Sequence, residues 1–281
     1  MAIRLEGKTI SARIKEQTAA DILQLKQRGI APCLAVVITG GNAAAEIYLR
    51  GKRRDCEECG VLFREVRLPE SVSQQELLEK LADLAADRSV HGIMVELPLP
   101  AHINEKAALA AIPPEKDVDG ASPISLGRLV VGEPCFLPCT AAACLEMIRA
   151  TGEEIDGKQA VVVGRSNIVG KPAALLLLRE NATVTLCHSH TRGLAALCAG
   201  ADILVAAAGR AGLITAEMVK PGAVVVDAGI NCTPEGKTCG DVDYPAAEQK
   251  AGYITPVPGG LGLVTRAVLL RNVAEAAKAQ K

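Results

Sequence analysis

One stretch of the chain, KQAVVVGRSNIVGKP at residues 158–172, limits the possible folds more than any other. Residues 160–163 have the unbroken hydrophobicity of a strand buried on both faces, and Pro172 opens a strongly helix-forming segment. The turn between them has a glycine at each end, Gly164 and Gly170. Because a helix N-terminus presents free N–H groups and a positive dipole end, the stretch predicts a phosphate-binding turn. The alternative is a tight strand-to-helix turn that binds nothing.

Composition narrows the class of protein. The chain has 281 residues, is 49% hydrophobic, and carries 31 basic against 32 acidic side chains, so it is long enough for two cores and almost neutral. Three tyrosines, two phenylalanines and no tryptophan leave little on which nucleic-acid bases could stack. No apolar run reaches the roughly 20 residues that cross a bilayer, and charges interrupt the start of the chain. We therefore expect a cytoplasmic protein with no nucleic-acid or membrane partner.

The ten cysteines are scattered along the chain, and we interpret them as reduced thiols. Cys56 and Cys59 have the spacing of metal ligands, but no second pair of cysteines or histidines completes a site. We predict no metal.

The first half of the chain alternates strands with helices. Strands are predicted at 32–39, 61–68 and 90–97, and helices at 8–29, 43–59, 73–86 and 104–112. This order predicts an α/β domain with a parallel sheet, which binds ligands at the carboxyl ends of its strands. Tyr48 and Lys52 share one helix face, and together with Glu96 and Asp119 they could lie at that edge. Taken singly, each is better explained as a solvated surface residue, and only together do they indicate a site.

The second half has a doubly wound pattern. Its predicted strands are 160–163, 183–186, 202–206 and 223–227, and its predicted helices are 140–151, 172–180, 191–199, 215–219 and 266–278. In a dinucleotide-binding fold, an acidic residue about 20 positions after the first glycine selects an unphosphorylated ribose. This chain has CHSHTR at 187–192 instead, and Arg165 in the turn. Donors in place of a carboxylate favour a 2′-phosphate, and hence NADP.

Residues 254–265, ITPVPGGLGLVT, form a loop rich in proline and glycine before the last helix. Such a loop is typical of a close backbone approach to a ligand, and equally of a rigid connector.

Eight motifs occur in one order along nearly the whole chain. They are Tyr48 with Lys52, LPLP (97–100), KDVDG (116–120), PCT (138–140), VGRSNIVGKP (163–172), ATVTLCHS (182–189), GDV (240–242) and TPVPGG (255–260). In these motifs the chain resembles the bifunctional methylenetetrahydrofolate dehydrogenase/cyclohydrolase family.

The resemblance implies an N-terminal α/β folate domain, 1–139 plus 264–281, and an NADP-binding Rossmann domain, 140–263, with the active site in the cleft between them. It also implies a homodimer in one-carbon metabolism and purine biosynthesis. The dehydrogenase passes a hydride from 5,10-methylenetetrahydrofolate to NADP, and the cyclohydrolase adds water to the methenyl product.

Residue roles are carried over motif by motif. The catalytic residues implied are Lys52, Tyr48, Asp119 and Glu96. The substrate-binding residues implied are Tyr48, Lys52, Leu97, Pro98, Leu99, Asp119, Pro258, Gly259 and Gly260. The cofactor-binding residues implied are Thr140, Gly164, Arg165, Ser166, Ile168, Val169, Gly170, His188, Ser189, Thr191, Ala208, Gly209, Gly229, Ile230 and Thr265.

The departures from the family pattern fall on the folate side. Glu96 stands where the family has a glutamine that hydrogen-bonds the catalytic lysine, and Ser125 replaces an asparagine. A glutamate would pair with the Lys52 ammonium and favour its charged form, which opposes its use as a base. We hypothesise a retained dehydrogenase and a weakened cyclohydrolase. The alternatives are a dehydrogenase that acts on folate or another reduced pterin without the hydrolase, and a catalytically silent NADP-binding paralogue.

Overall fold

The structure is a computed structural model that describes residues 1–41, 43–233 and 235–280, without the side chains of residues 43–45 and 47. The chain divides into two compact units. The three-stranded unit comprises residues 13–139 and 266–281, and the six-stranded unit comprises residues 1–12 and 140–265.

Strands and helices alternate along most of the chain. Its first half contains β1 (Ile3–Arg4), α1 (Gly7–Gln27), β2 (Cys33–Thr39), α2 (Ala43–Cys59), β3 (Leu62–Leu68), α3 (Gln74–Ala86), β4 (Gly92–Val95), α4 (Glu105–Ala110) and α5 (Pro123–Val131). Its second half contains α6 (Cys139–Arg149), β5 (Gln159–Val163), α7 (Gly170–Arg179), β6 (Thr183–Cys187), α8 (Leu194–Ala199), β7 (Ile203–Ala206), a 3-10 helix (Ala216–Met218), β8 (Val224–Asp227), β9 (Asn231–Cys232), β10 (Thr238–Cys239), α9 (Tyr244–Ala247), β11 (Tyr253–Ile254) and α10 (Leu261–Ala279).

The three-stranded unit is built on a parallel sheet in the order β3-β2-β4. The central strand β2 is buried from Cys33 to Ile38, as expected for an apolar strand with neighbours on both sides. The chain passes to β3 on one side of β2 and to β4 on the other. The carboxyl ends of β2 and β4 therefore form the switch point at which ligands bind in such sheets.

The segment that follows α4 lies beside β4. The Ile93 backbone N–H donates to the Lys116 carbonyl at 2.8 Å. The Lys116 ammonium donates to the carbonyls of Leu84 and Asp87, at 3.3 and 2.7 Å, at the end of α3. These contacts place Asp119, three residues on, near the carboxyl end of β4.

The six-stranded unit contains a parallel sheet in the order β6-β5-β7-β8-β11-β1. Val163 is in register with Cys187 on one side and with Ala206 on the other, and Ala206 with Asp227. Four strands therefore end level at one edge, and the order reverses at β5. This doubly wound arrangement confirms the predicted fold class.

The structure differs from the sequence-based boundaries at the termini. Residues 1–12 belong to the six-stranded unit and not to residues 13–139, because Ile3 and Arg4 pair with Tyr253 and Ile254. The last helix begins at Leu261, five residues before the predicted position 266. The unit boundary falls after Thr265.

Three local differences have simple causes. Helix α5 was not predicted; the Ser122 side chain caps its start and Gly132 ends it with a φ of 80°. Helix α7 begins at Gly170, so Pro172 is its third residue, still within the first turn where no N–H is needed. Residues 215–219 form only a 3-10 turn. Within the described ranges, no helix is long and apolar enough to cross a membrane.

Candidate active site

A buried ion pair lies at the switch point of the three-stranded sheet. Lys52, on α2, and Glu96, immediately after β4, approach to 2.5 Å between Nζ and Oε2. Their side chains are only 9% and 15% exposed. The Glu96 N–H donates to the Val37 carbonyl at 2.9 Å, so the backbone of Glu96 continues the ladder between β2 and β4. Half-buried Tyr48 lies one helical turn before Lys52.

Asp119 completes a titratable cluster with this pair. Burial raises the pKa of its carboxyl group to about 7. The Lys52 charge opposes this rise, whereas the charges of Asp117 and Glu96 add to it. Lys52, Glu96 and Asp119, which come from three separate segments, are therefore brought together as the sequence predicts. We name them the Lys–Glu–Asp cluster.

The other aspartate of the loop, Asp117, has a structural role. Its carboxylate accepts hydrogen bonds from the Ala121 and Ser122 N–H groups, at 3.1 and 2.9 Å, and from the Ser125 hydroxyl at 2.6 Å. Burial raises the pKa of Asp117, and these hydrogen bonds oppose the rise. Ser125 thus anchors the loop that carries Asp119.

Helix α2 is also held by a second buried carboxylate, Asp55, about one turn after Lys52. Asp55 is 1% exposed and pairs with Lys15 Nζ and Arg266 Nε, each at 2.5 Å. Lys15 lies on α1 and Arg266 on α10, so three helices meet at one carboxylate. Sequence reasoning missed Asp55; its place three residues after Lys52 was the available signal.

The predicted substrate-binding residues fall in both units. Leu97, Pro98 and Leu99 follow Glu96 directly in the three-stranded unit. Pro258, Gly259 and Gly260 lie in the six-stranded unit, between β11 and α10. There the Gly7 N–H donates to the Gly259 carbonyl at 3.0 Å.

The turn after β5 requires glycine at its first position. Gly164 has a φ of 129°, and a Cβ atom there would collide with the Ala207 carbonyl oxygen. Its N–H donates to the Cys187 carbonyl at 2.9 Å, which joins the turn to the end of β6. Only a residue without a side chain lets the chain turn here into α7.

The same turn fits an anion. Among the described residues, the N–H groups of residues 165–168 have no hydrogen-bond acceptor. They precede the N-terminus of the ten-residue helix α7. The Ser166 hydroxyl accepts from the Val169 and Gly170 N–H groups at 3.1 and 3.4 Å, while the Arg165 side chain is exposed. The phosphates of a dinucleotide would find several donors here, and Ile168 and Val169 are half-buried beneath them.

The end of β6 is also rich in donors. The His188 N–H donates to the Thr191 hydroxyl at 2.8 Å, and the Thr191 N–H returns to the His188 carbonyl at 2.9 Å. This closed turn exposes Ser189 and Arg192. It lies beside the Gly164 turn because β5 and β6 end level.

Two buried aspartates that sequence reasoning gave no role shape the next two loops. Asp241 accepts from the N–H groups of Ala208, Gly209 and Arg210 at 2.6, 2.9 and 2.8 Å. Asp227 accepts from those of Gly229, Asp241 and Val242 at 2.9, 3.0 and 2.9 Å, and burial raises its pKa to about 6. The GDV motif and the aspartate that ends β8 were the signals for them.

The remaining predicted cofactor residues are more scattered. Ile230, after Gly229, is 57% exposed. Thr140 lies in the first turn of α6, and Thr265 lies on α10, where its hydroxyl donates to the Leu261 carbonyl at 3.2 Å.

The fold and these sites define a class: a two-unit α/β protein in which one unit has a dinucleotide-binding sheet and the other holds a buried Lys–Glu–Asp cluster. Family models identify it further. Residues 5–119 match the catalytic domain of tetrahydrofolate dehydrogenase/cyclohydrolase, and residues 138–281 match the NAD(P)-binding domain. The chain belongs to the tetrahydrofolate dehydrogenase/cyclohydrolase family, which confirms the resemblance seen in its motifs.

Individual relatives agree over the full length. The bifunctional protein FolD of Moorella thermoacetica is 53% identical over 274 residues, 98% of each chain. The crystal structure of the bifunctional FolD dehydrogenase/cyclohydrolase of Campylobacter jejuni covers 100% of both chains at 44% identity, with a TM-score of 0.97. The Trypanosoma brucei dehydrogenase-cyclohydrolase, solved with NADP and an inhibitor, covers 99% of this chain and 98% of its own at 39% identity, with a TM-score of 0.95.

Proposed function

We propose that the chain is an NADP-dependent 5,10-methylenetetrahydrofolate dehydrogenase that also hydrolyses 5,10-methenyltetrahydrofolate, and that Glu96 slows the hydrolysis. The observation that carries the proposal is the 2.5 Å pair between Lys52 and Glu96 beside Asp119. The full-length relatives named FolD support the two activities.

In the dehydrogenase reaction NADP supplies the hydride acceptor, and the protein must hold the folate in place. Asp119, when ionised, accepts paired hydrogen bonds from the amino and ring N–H groups of the pterin. Tyr48 lies on the Lys52 face of α2, where its ring can stack on the substrate. The dehydrogenase product carries a positive charge, which the carboxylates of Glu96 and Asp119 stabilise.

Hydrolysis has a different requirement, because water must lose a proton as it adds to the methenyl carbon. Lys52 is the residue placed to move that proton. A lysine held as an ammonium has no lone pair with which to accept one. The Glu96 carboxylate stabilises that ammonium form, so we expect hydrolysis to lag behind hydride transfer.

The test compares the two activities of the enzyme and of a Glu96→Gln variant. NADP reduction with methylenetetrahydrofolate measures the first activity, and decay of methenyltetrahydrofolate absorbance measures the second. We expect Glu96→Gln to raise hydrolysis on the order of tenfold. The dehydrogenase rate should change far less, because positioning is retained.

Glu275→Gln is the matched control. It removes a carboxylate from a surface ion pair, in which Glu275 Oε1 lies 2.7 Å from Lys278 Nζ and the two side chains are 51% and 36% exposed. It should leave both activities unchanged. Hydrolysis that does not respond to Glu96→Gln would contradict the pairing argument, and an unmodified enzyme that reduces no NADP would contradict the proposal as a whole.

Two narrower points belong to the same proposal. Arg165 and Ser189 bind the 2′-phosphate of NADP, since both are exposed donors at adjoining strand ends. The enzyme is a homodimer, which light scattering can test against the 29.2 kDa mass of one chain.

Assays with a pterin that lacks the folate tail separate a folate enzyme from one that acts on another reduced pterin. A silent paralogue would have no use for the Lys–Glu–Asp cluster.

A further inference from the structure

We propose that Asp55 is a positioning residue for Lys52. It fixes α2 against α1 and α10, and so determines where the Lys52 ammonium meets Glu96. The inference rests on the proposed function, in which Lys52 moves the proton of the hydrolysis step. Asp55 lies three residues after Lys52 and is 1% exposed.

Asp55 and Lys52 belong to one face of α2. At about 3.6 residues per turn, they are roughly 60° apart around the helix axis, and Tyr48 lies between them. A rotation of α2 that moved Asp55 would therefore move Lys52 and Tyr48 through the same angle. What holds Asp55 also holds the residues of α2 that face the substrate.

The two oxygens of the Asp55 carboxylate are held by two different helices. Oδ1 lies 2.5 Å from Lys15 Nζ on α1, and Oδ2 lies 2.5 Å from Arg266 Nε on α10. The Lys15 and Arg266 side chains are only 21% and 16% exposed, so salt screens these pairs little. Because two helices fix one carboxylate, α2 cannot turn or slide without stretching at least one of the pairs.

Arg266 also lies against the backbone of α2, at the residue immediately before Lys52. A Cβ atom at Gly51 would lie 3.3 Å from Cζ and Nη1 of Arg266 and 3.4 Å from its Nε. Glycine is a poor residue for a helix interior, but here its lack of a side chain makes room for the guanidinium. The contacts of Arg266 thus extend from Gly51 to Asp55, along the turn that includes Lys52.

Glu96, the partner of Lys52, is held by the sheet and not by a helix. Its N–H donates to the Val37 carbonyl at 2.9 Å. The 2.5 Å contact between Lys52 Nζ and Glu96 Oε2 therefore depends on where α2 lies relative to the sheet. A displacement of about 1 Å at a reacting group can cost on the order of 100-fold in rate, so the anchor at Asp55 bears on the chemistry.

The structural test measures the distance from Lys52 Nζ to Glu96 Oε2 in crystal structures of the enzyme and of Asp55→Asn. Asparagine keeps the shape of the side chain but not the charge that holds two cations. We expect the variant to place Lys52 beyond hydrogen-bond range of Glu96, about 3.2 Å. An unchanged distance would overturn the proposal. Should Asp55→Asn fail to fold, Arg266→Met leaves the pair with Lys15 in place and tests the same displacement.

The kinetic test adds Asp55→Asn to the Glu96→Gln variant, which separates the position of Lys52 from its pairing with a carboxylate. The kcat for hydrolysis of methenyltetrahydrofolate should fall roughly tenfold, while the KM for NADP stays within about twofold. A loss of stability alone would not lower kcat at temperatures where the variant is folded. If Lys52 moves in the crystal and hydrolysis is unchanged, the role given to Lys52 in the proposed function is wrong, and its positioning by Asp55 stands.

A double variant shows whether Asp55 and Arg266 act together. Since Asp55→Asn and Arg266→Met disrupt the same pair, their combination should lower the kcat for hydrolysis no further than the stronger single variant does. Additive losses would show that Arg266 acts elsewhere and would overturn the arrangement proposed for α2.

Asp21→Asn is the matched control. Asp21 Oδ2 lies 3.1 Å from Lys278 Nζ, so this carboxylate also joins α1 to α10, but without α2. The control should leave the Lys52–Glu96 distance and the kcat for hydrolysis unchanged. If Asp21→Asn changed both as Asp55→Asn does, the effect would belong to helix packing in general, and the assignment to Asp55 would fail.

Discussion

The loops of the six-stranded unit and the Lys–Glu–Asp cluster of the three-stranded unit surround their carboxylates in different ways. In the six-stranded unit, Asp227 and Asp241 are surrounded by backbone N–H donors, three for each carboxylate. In the three-stranded unit, Glu96 and Asp119 share a site with an ammonium group and with each other. The first arrangement fixes loops, whereas the second places an ammonium group beside two carboxylates, and the pKa of about 7 lets the charge of Asp119 change near neutral pH.

The contrast matches the chemistry that we assign to each side. Binding a dinucleotide demands a fixed set of donors, which backbone N–H groups supply with little loss of entropy. Moving protons on folate demands groups whose charge can change near neutral pH. The departure at Glu96 falls in the second set, so it changes the chemistry without touching the donors of the first.

The largest effect should come from the backbone of the six-stranded unit. Gly164→Ala forces a Cβ atom against the Ala207 carbonyl at a φ that disfavours side chains, and we expect a loss of about 3 kcal/mol or more in the free energy of unfolding. Chemical denaturation would measure it. Gly127→Ala is the control, because no atom lies within 4 Å of a Cβ atom at that helical position. Equal behaviour of the two variants would refute the steric requirement.

The next largest effect is expected from Asp119, in the three-stranded unit. Asp119→Asn should raise the KM for methylenetetrahydrofolate about 100-fold, since the amide cannot accept two hydrogen bonds as the carboxylate does.

The same variant should be more stable than the parent at pH 8. A folded-state pKa of about 7, above the usual 3.8, means that stability is lost as pH rises between these values, and asparagine does not suffer that loss. Melting temperatures should therefore differ at pH 8 and converge near pH 4; a variant less stable at pH 8 would contradict the assigned direction.

A smaller change should follow at the cofactor turn. Arg165→Ala removes an exposed guanidinium from the proposed 2′-phosphate site, and we expect the KM for NADP to rise roughly 10- to 100-fold with activity on NAD unchanged. Lys171→Ala removes a cation from the same region, where Lys171 bonds to Asn167 at 2.8 Å, and should have little effect. A parallel loss with both cofactors would indicate that Arg165 does not select the phosphate.

The mildest test changes only the pH of the assay. Between pH 6 and 8 the KM for folate should fall about tenfold as Asp119 ionises around pH 7. Over the same range the KM for NADP should change no more than about twofold, because Asp227, with a pKa of about 6, is already half ionised at pH 6. Steady-state kinetics at each pH would show this, and a cofactor KM that followed the folate KM would break the distinction between the two units.

The sequence was most informative where local pattern decides structure. The apolar strands β5 to β8 and the helix over residues 73–86, which a capping box of Ser73 and Glu76 opens, were predicted because each depends on neighbouring residues. The pairing of Lys52 with Glu96 was predicted from the resemblance to the family, in which a glutamine at position 96 bonds the catalytic lysine, and the shared edge of the parallel sheet is consistent with it. The family motifs around Lys52 and Glu96 added a catalytic role, which the positions of the two residues alone did not indicate.

What escaped prediction depends on distant contacts. Strands β1 and β11 have two residues each and pair across about 250 positions, so no periodicity marks them. Asp227 and Asp241 bond to backbone groups, which every residue carries, and sequence patterns do not reveal such partners. The roles of these two residues could be recognised only in the structure.

The exchange of termini between the units has a consequence for synthesis of the protein. Residues 1–12 leave the ribosome long before Tyr253 and Ile254, with which their strand pairs. Residues 13–139 likewise wait for residues 266–281. Although domains ordinarily fold in the order in which they emerge, neither unit can be completed before α10 is synthesised, and both should acquire full protease resistance together once that helix is released.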